Sequence, residues 1–163
     1  NPAVKKESDR KAIINGIQNN VIDIIATDHA PHTITEKNNN YCNAPSGGPL
    51  VQHAVLALMD LVKKKEISLI DVVRKTSHDV AKCFKIEKRG FLRPGYSADL
   101  VLINRNKKYN VNKNNLLYKC GWSPFEGHSF SSTIDSTIIN GEVVFKDGKI
   151  NESFRGERLK FDR

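Results

Sequence analysis

Six residues, Val21-Ile22-Asp23-Ile24-Ile25-Ala26, form a short run rich in β-branched side chains. Such a run reads as a buried strand, of the kind found in parallel sheets covered on both faces. A helical pattern precedes it. Ser8 is placed to cap a helix ending near Asn19, with Ala12, Ile13 and Ile17 on its apolar face. Helix followed by buried strand argues for an α/β layer. The strand ends at Thr27-Asp28, and in parallel α/β folds ligands gather beyond that end of the sheet.

The rest of the chain divides in two. Residues 33–49 carry Gly and Pro without an apolar period, which reads as a binding loop, a lid or a disordered stretch. Helical spacing returns over 50–64 through Leu50, Val51, Ala54, Val55, Leu58, Leu61 and Val62. Ser68 can cap a second helix over 69–76, and a third starts at Ser77 or His78 and runs through Phe84. After Gly90 the texture turns to strands: residues 98–103, then 134–140 and 142–146 as a hairpin about Gly141. We therefore expect an α/β part over 1–88 and a β-rich region over 89–163.

Charge adds little. The excess of 26 Lys and Arg over 18 Asp and Glu gives a net charge of +8, which raises a nucleic-acid-binding reading. The basic residues, however, are scattered among asparagines, as in an AT-rich coding sequence, and lack interleaved aromatic platforms. We expect no nucleic-acid partner. Cys42, Cys83 and Cys120 are far apart, odd in number and form no CxxC pair, so neither a disulfide framework nor a zinc ribbon is indicated. A cytoplasmic setting fits, and no apolar run is long enough to span a membrane.

Chemistry concentrates in Thr27-Asp28-His29-Ala30-Pro31-His32. One carboxylate and two imidazoles within five residues can supply metal ligands, a general base, or both. The same residues suit a turn in which Asp28 caps and the histidines face solvent. Pro31 keeps a helix from running through them.

The string Ile24-Ile25-Ala26-Thr27-Asp28-His29-Ala30-Pro31-His32 resembles the last barrel strand of the dihydroorotases, within the amidohydrolase superfamily. Asn1-Pro2 with Asp9-Arg10, the loop Ala44-Pro45-Ser46-Gly47-Gly48, and residues 90–101 (GFLRPGYSADLV) are similar to further segments of that family. Trp122 to Gly127 and the hairpin 138–145 agree as well. The resemblance implies the C-terminal part of a metal-dependent (β/α)8 barrel over 1–88, followed by a small β-sandwich region over 89–163. A whole barrel needs about 250 residues, more than the 163 present.

The resemblance also implies roles. Asp28 would ligate zinc, one or two ions, and serve as the general base and acid. The metal would activate water to attack the cyclic amide of dihydroorotate, giving N-carbamoyl-aspartate reversibly in pyrimidine biosynthesis. Asn1 and His32 would bind substrate, and Ser46 and Gly47 would offer backbone contacts, although the family commonly has Phe-Gly there. His29 would orient its neighbours, Asp99 would be structural, and Trp122 and Phe125 would pack the junction between the parts. His53 and His78 are expected to cap, pack or face solvent. The family's His-x-His, bridging Lys and later His ligands have no counterparts here, so the chain alone is expected neither to hold the metal nor to catalyse. Dimers are common in the family, so the parent enzyme is a candidate homo-oligomer. An allantoinase or hydantoinase, or a non-catalytic dihydroorotase-like scaffold, are the alternatives.

Overall fold

The computed structural model describes residues 4–162. Helix α1 (Glu7–Gln18) starts two residues earlier than a Ser8 cap would give, because the Asp9 carboxylate reaches back to the N–H groups of Lys6 (2.9 Å) and Lys5 (3.1 Å). A charged acceptor binds those free amides better than a hydroxyl. Ile17 is buried, while Ile13 and Ala12 are exposed, so the inward face is rotated towards Ile14 and Ile17.

The expected strand over 21–26 does not form and pairs with no strand among the described residues: Val21 and Ile22 bend, both N–H groups donating to the Gly16 carbonyl (2.9 and 3.1 Å), and Val21 is 76% exposed. A run of β-branched residues fixes backbone shape, but a strand also needs a hydrogen-bonded neighbour. Here a lysine stands in for one. Ile25 N–H donates to the Lys75 carbonyl (2.9 Å), and the Lys75 ammonium, on a side chain only 1% exposed, donates to the Ile22 carbonyl (2.6 Å).

Between residues 33 and 49 lies one short helix, α2 (Ile34–Lys37), capped by Thr33. Helix α3 (Ala54–Lys63) follows, then an unbroken helical run: α4 (Leu69–Val73), a π-helical turn (Arg74–His78) and α5 (Asp79–Cys83). Ser68 caps α4 as expected, its hydroxyl accepting from Asp71 N–H (3.0 Å). The two helices expected over 69–84 are thus one, with the π turn where a break had been placed.

Strands β1 (Leu100–Asn104), β2 (Tyr109–Asn110), β3 (Ser129–Phe130), β4 (Thr133–Ile139), β5 (Glu142–Lys146) and β6 (Lys149–Ile150) complete the chain. They form an antiparallel four-stranded sheet in the order β1-β4-β5-β6 and a two-stranded ribbon, β2-β3. The β4–β5 hairpin turns at Asn140 (φ 53°) and Gly141 (φ 84°), the paired left-handed conformations of a tight hairpin. A sandwich needs two sheets face to face, and the described residues supply one sheet and this ribbon.

Two apolar cores result. Ile17, Ile67 and Val72 centre the first, which takes in Ile22, Ile25, Leu58 and Leu61. Leu56, Val111 and Phe130 centre the second, with Phe125 and Ile134 against them. Helix α3 feeds both, so it has two apolar sides. The expected single face was only partly right, since Val51 is 58% exposed and Leu56 and Met59 are the buried residues.

Gly90 joins the helical run to the β-rich part. Its φ is +79°, and a Cβ there would lie 2.5 Å from Ala81 Cβ and 2.9 Å from the Ser77 carbonyl oxygen. Gly90→Ala combines a left-handed penalty with a clash against packed backbone, and should lower unfolding free energy by about 3 kcal/mol in chemical denaturation.

Candidate active site

Asp28 sits just beyond the 21–26 segment, exposed and at φ +46°. Left-handed backbone at a non-glycine residue is strained, though Asp tolerates it better than most. The turn is held from the next residue. His29 Nδ1 accepts from the N–H groups of Leu50 (3.0 Å) and Val51 (3.4 Å), which leaves the proton of the neutral ring on Nε2. Its ring also lies 5.6 Å from that of Tyr118.

The loop over 44–49 is pressed against this turn. Ala30 N–H donates to the Gly48 carbonyl (3.0 Å), forming an isolated parallel bridge between His29 and Gly48. Gly47, at φ +86°, lets the two backbones meet: a Cβ there would lie 2.7 Å from Ala30 Cβ. Gly48 and Pro49 are buried, whereas Ser46 and Gly47 face solvent.

His32 is partly exposed, its Nδ1 4.0 Å from Glu36 Oε1. Glu36 is already engaged, because hydrogen bonds from the Thr33 hydroxyl and N–H hold its carboxyl below the usual range. The His32 carbonyl accepts from Trp122 Nε1 (2.8 Å), so the indole ties the motif to the β-rich part. This agrees with the packing role expected of Trp122.

Lys37 and Gln52 also build the site, and no local pattern marks either one. The Lys37 ammonium donates to the carbonyls of Pro45 (2.7 Å) and Gly47 (3.0 Å) and lies 6.0 Å from the Trp122 ring centre. Gln52 accepts from Leu117 N–H (2.9 Å) and donates to the Asn115 carbonyl (2.8 Å), while its own N–H donates to Tyr118 Oη (2.9 Å).

Beside Gln52, His53 is fully buried among Tyr109, Tyr118, Phe125 and Phe130. Its Nδ1 meets Ser123 Oγ (3.2 Å) and Tyr118 Oη (3.4 Å), and its Nε2 has no partner among the described residues. Burial pushes its pKa from 6.5 down to about 4, so it is neutral at pH 7. His78 stacks on Phe91 at 4.4 Å between ring centres, and Asp99 binds Arg89 and the Asn140 N–H. Both are structural, as expected.

Asp28, His29, His32 and the Ser46-Gly47 loop are therefore neighbours in one assembly. Asn1 lies outside the described residues. No group of three His, Cys, Asp or Glu able to hold a metal ion occurs among the described residues.

Residues 2–144 match the amidohydrolase family, and the chain belongs to it. The dihydroorotase of Clostridium acetobutylicum is 36% identical over 148 residues, 90% of this chain and 35% of that protein. The dihydroorotase of Pyrococcus horikoshii is 35% identical over 158 residues, 97% of this chain and 36% of its own length. The chain thus spans about a third of the curated relatives it matches. Among solved structures, dihydropyrimidinase from Brevibacillus agri superposes with a TM-score of 0.83 at 22% identity, over 92% of this chain and 34% of that one. D-Hydantoinase from Thermus sp. gives 0.83 at 21% identity, over 91% and 34%. At that identity the likeness establishes the fold.

Because His53 charges in the unfolded chain at a higher pH than in the folded one, protons favour unfolding. Stability should be full above pH 6.5 and fall by about 3 kcal/mol at most as the pH drops through about 4. His53→Phe should flatten that part of a urea-midpoint-against-pH profile. Replacing Lys37 by Met should leave the melting temperature within a few degrees, yet speed amide exchange over residues 44–49 at least tenfold.

Proposed function

We propose that the chain is the C-terminal part of a zinc-dependent dihydroorotase, which opens the cyclic amide of dihydroorotate to N-carbamoyl-aspartate and closes it again. The observation that carries the reading is the Asp28 turn, strained, exposed and fastened to the 44–49 loop by His29 and the Ala30–Gly48 hydrogen bond. That arrangement holds a carboxylate and a glycine-bearing loop at one place. The relatives named dihydroorotase support the choice of substrate over hydantoins or allantoin.

In this reading Asp28 takes the proton of the attacking water and returns it to the departing ring nitrogen, as a fixed carboxylate can. It also serves as one metal ligand, the remaining ligands coming from outside the described residues. His32, tethered through its carbonyl to Trp122, offers its imidazole to the substrate carboxylate. Ser46 and Gly47 border the ring from the loop, and Asn1 supplies amide contacts.

Residues 1–88 are read as the last barrel units and 89–163 as a small β-sandwich region. The free thiols of Cys42, Cys83 and Cys120 suit a reducing cytoplasm. No helix among the described residues is long and apolar enough to cross a membrane.

The test is turnover by the complete protein of dihydroorotate, N-carbamoyl-aspartate, hydantoins and allantoin, with its zinc content measured in parallel. Dihydroorotate should be the preferred cyclic substrate. Asp28→Ala should cost about 10³-fold or more in kcat with the fold intact, consistent with loss of a general base. Unchanged turnover in that variant would make the site a scaffold.

A further inference from the structure

A second site lies away from the Asp28 turn, between the end of α3 and the segments flanking β1 and β4. It is a cavity of about 530 Å³ lined by Met59, Lys63, Arg105, Asn106, Lys108, Ser131 and Ser132. Met59 (3% exposed) and Ser132 (1% exposed) form its floor, whereas Lys63, Arg105 and Lys108 stand exposed around its rim.

Two observations point independently to a ligand. Ser132 Oγ is buried without a hydrogen-bond partner, which is uncommon for a hydroxyl at the bottom of a cavity. The three rim cations, meanwhile, make no ion pair among the described residues. Asp135 and Asp147 share a neighbouring pocket with Lys108 but form no ion pair with the three cations among the described residues. Asp60 is occupied by His128 Nε2 (3.1 Å) and by Ser131 N–H (2.9 Å). Lys63 lies in the last turn of α3, where the helix dipole disfavours an anion, but that effect fades within a turn.

We propose that this cavity binds the phosphate groups of a small oligophosphate. Three positive charges over one orphaned hydroxyl match a compact anion of several charges with many acceptor oxygens. Arg105 can grip two of those oxygens at once, and the two lysines act as point charges. The Ser132 hydroxyl donates to the innermost oxygen and so gains the partner it otherwise lacks. The volume falls within the ordinary range for small-molecule pockets.

The test is calorimetric titration of the complete protein with inorganic pyrophosphate, inorganic phosphate and a short oligonucleotide at constant ionic strength. Pyrophosphate should bind saturably and more tightly than phosphate. Arg105→Gln and Lys108→Gln should each weaken it about tenfold or more, as should Ser132→Ala. Ser132→Ala has a second signature: without ligand its melting temperature should equal or exceed that of the parent, since no native hydrogen bond is lost. Absence of saturable pyrophosphate binding overturns the proposal. So does binding that survives all three substitutions, and so does tighter binding of the oligonucleotide, which would make the surface a nucleic-acid contact.

Discussion

Leu56, Val111 and Phe130 come from distant parts of the chain and bury one another almost completely. Each such side chain contributes about 1.5–3 kcal/mol when removed from water. That contact joins the helical part to the β-rich part, and α3 is the element that provides it. The other side of α3 faces the first core through Leu58, Leu61 and Val62. Polar groups then set the register that apolar contact alone leaves loose. Gln52 bonds to the 115–118 segment at one end of α3, and Asp60 receives Ser131 and His128 at the other.

The chemistry of the Asp28 turn rests on that frame. The loop over 44–49 leads through a turn at 51–53 into α3, and His29 holds the start of that link through the Leu50 and Val51 amides. Trp122 closes the arrangement from the β-rich part by holding the His32 carbonyl. The elements that carry the motif are short and irregular, so their shape comes from a few directed hydrogen bonds more than from burial.

Local signals in the sequence proved the most readable. The Ser68 cap and the Asn140-Gly141 hairpin depend on side chains within four residues of one another, and both were legible. The 21–26 run misled because hydrophobic, β-branched residues specify extended backbone and burial, while pairing depends on a neighbour the run does not encode. The side chains facing inward from α3 were harder, because a helix serving two cores blurs the single stripe that periodicity detects. At the site, the Asp28–His32 cluster and the glycine-bearing loop stood out by composition. Lys37, Gln52 and Lys75 did not, since a lysine or glutamine that folds onto distant carbonyls looks in sequence like any solvated side chain.

Lys75 has one more implication, for motion. Its carbonyl and its ammonium both grip the 21–26 segment, and both belong to one residue of the π turn between α4 and α5. The backbone leading to Asp28 is thereby yoked to that helical run and gains its rigidity from it. Exposing the Ile25 amide requires the π turn to let go, so segment and helix form one cooperative unit of local unfolding. A thermal fluctuation that frays α4 and α5 would travel directly to the carboxylate, and protection of the Ile25 amide is a gauge of how still Asp28 is held.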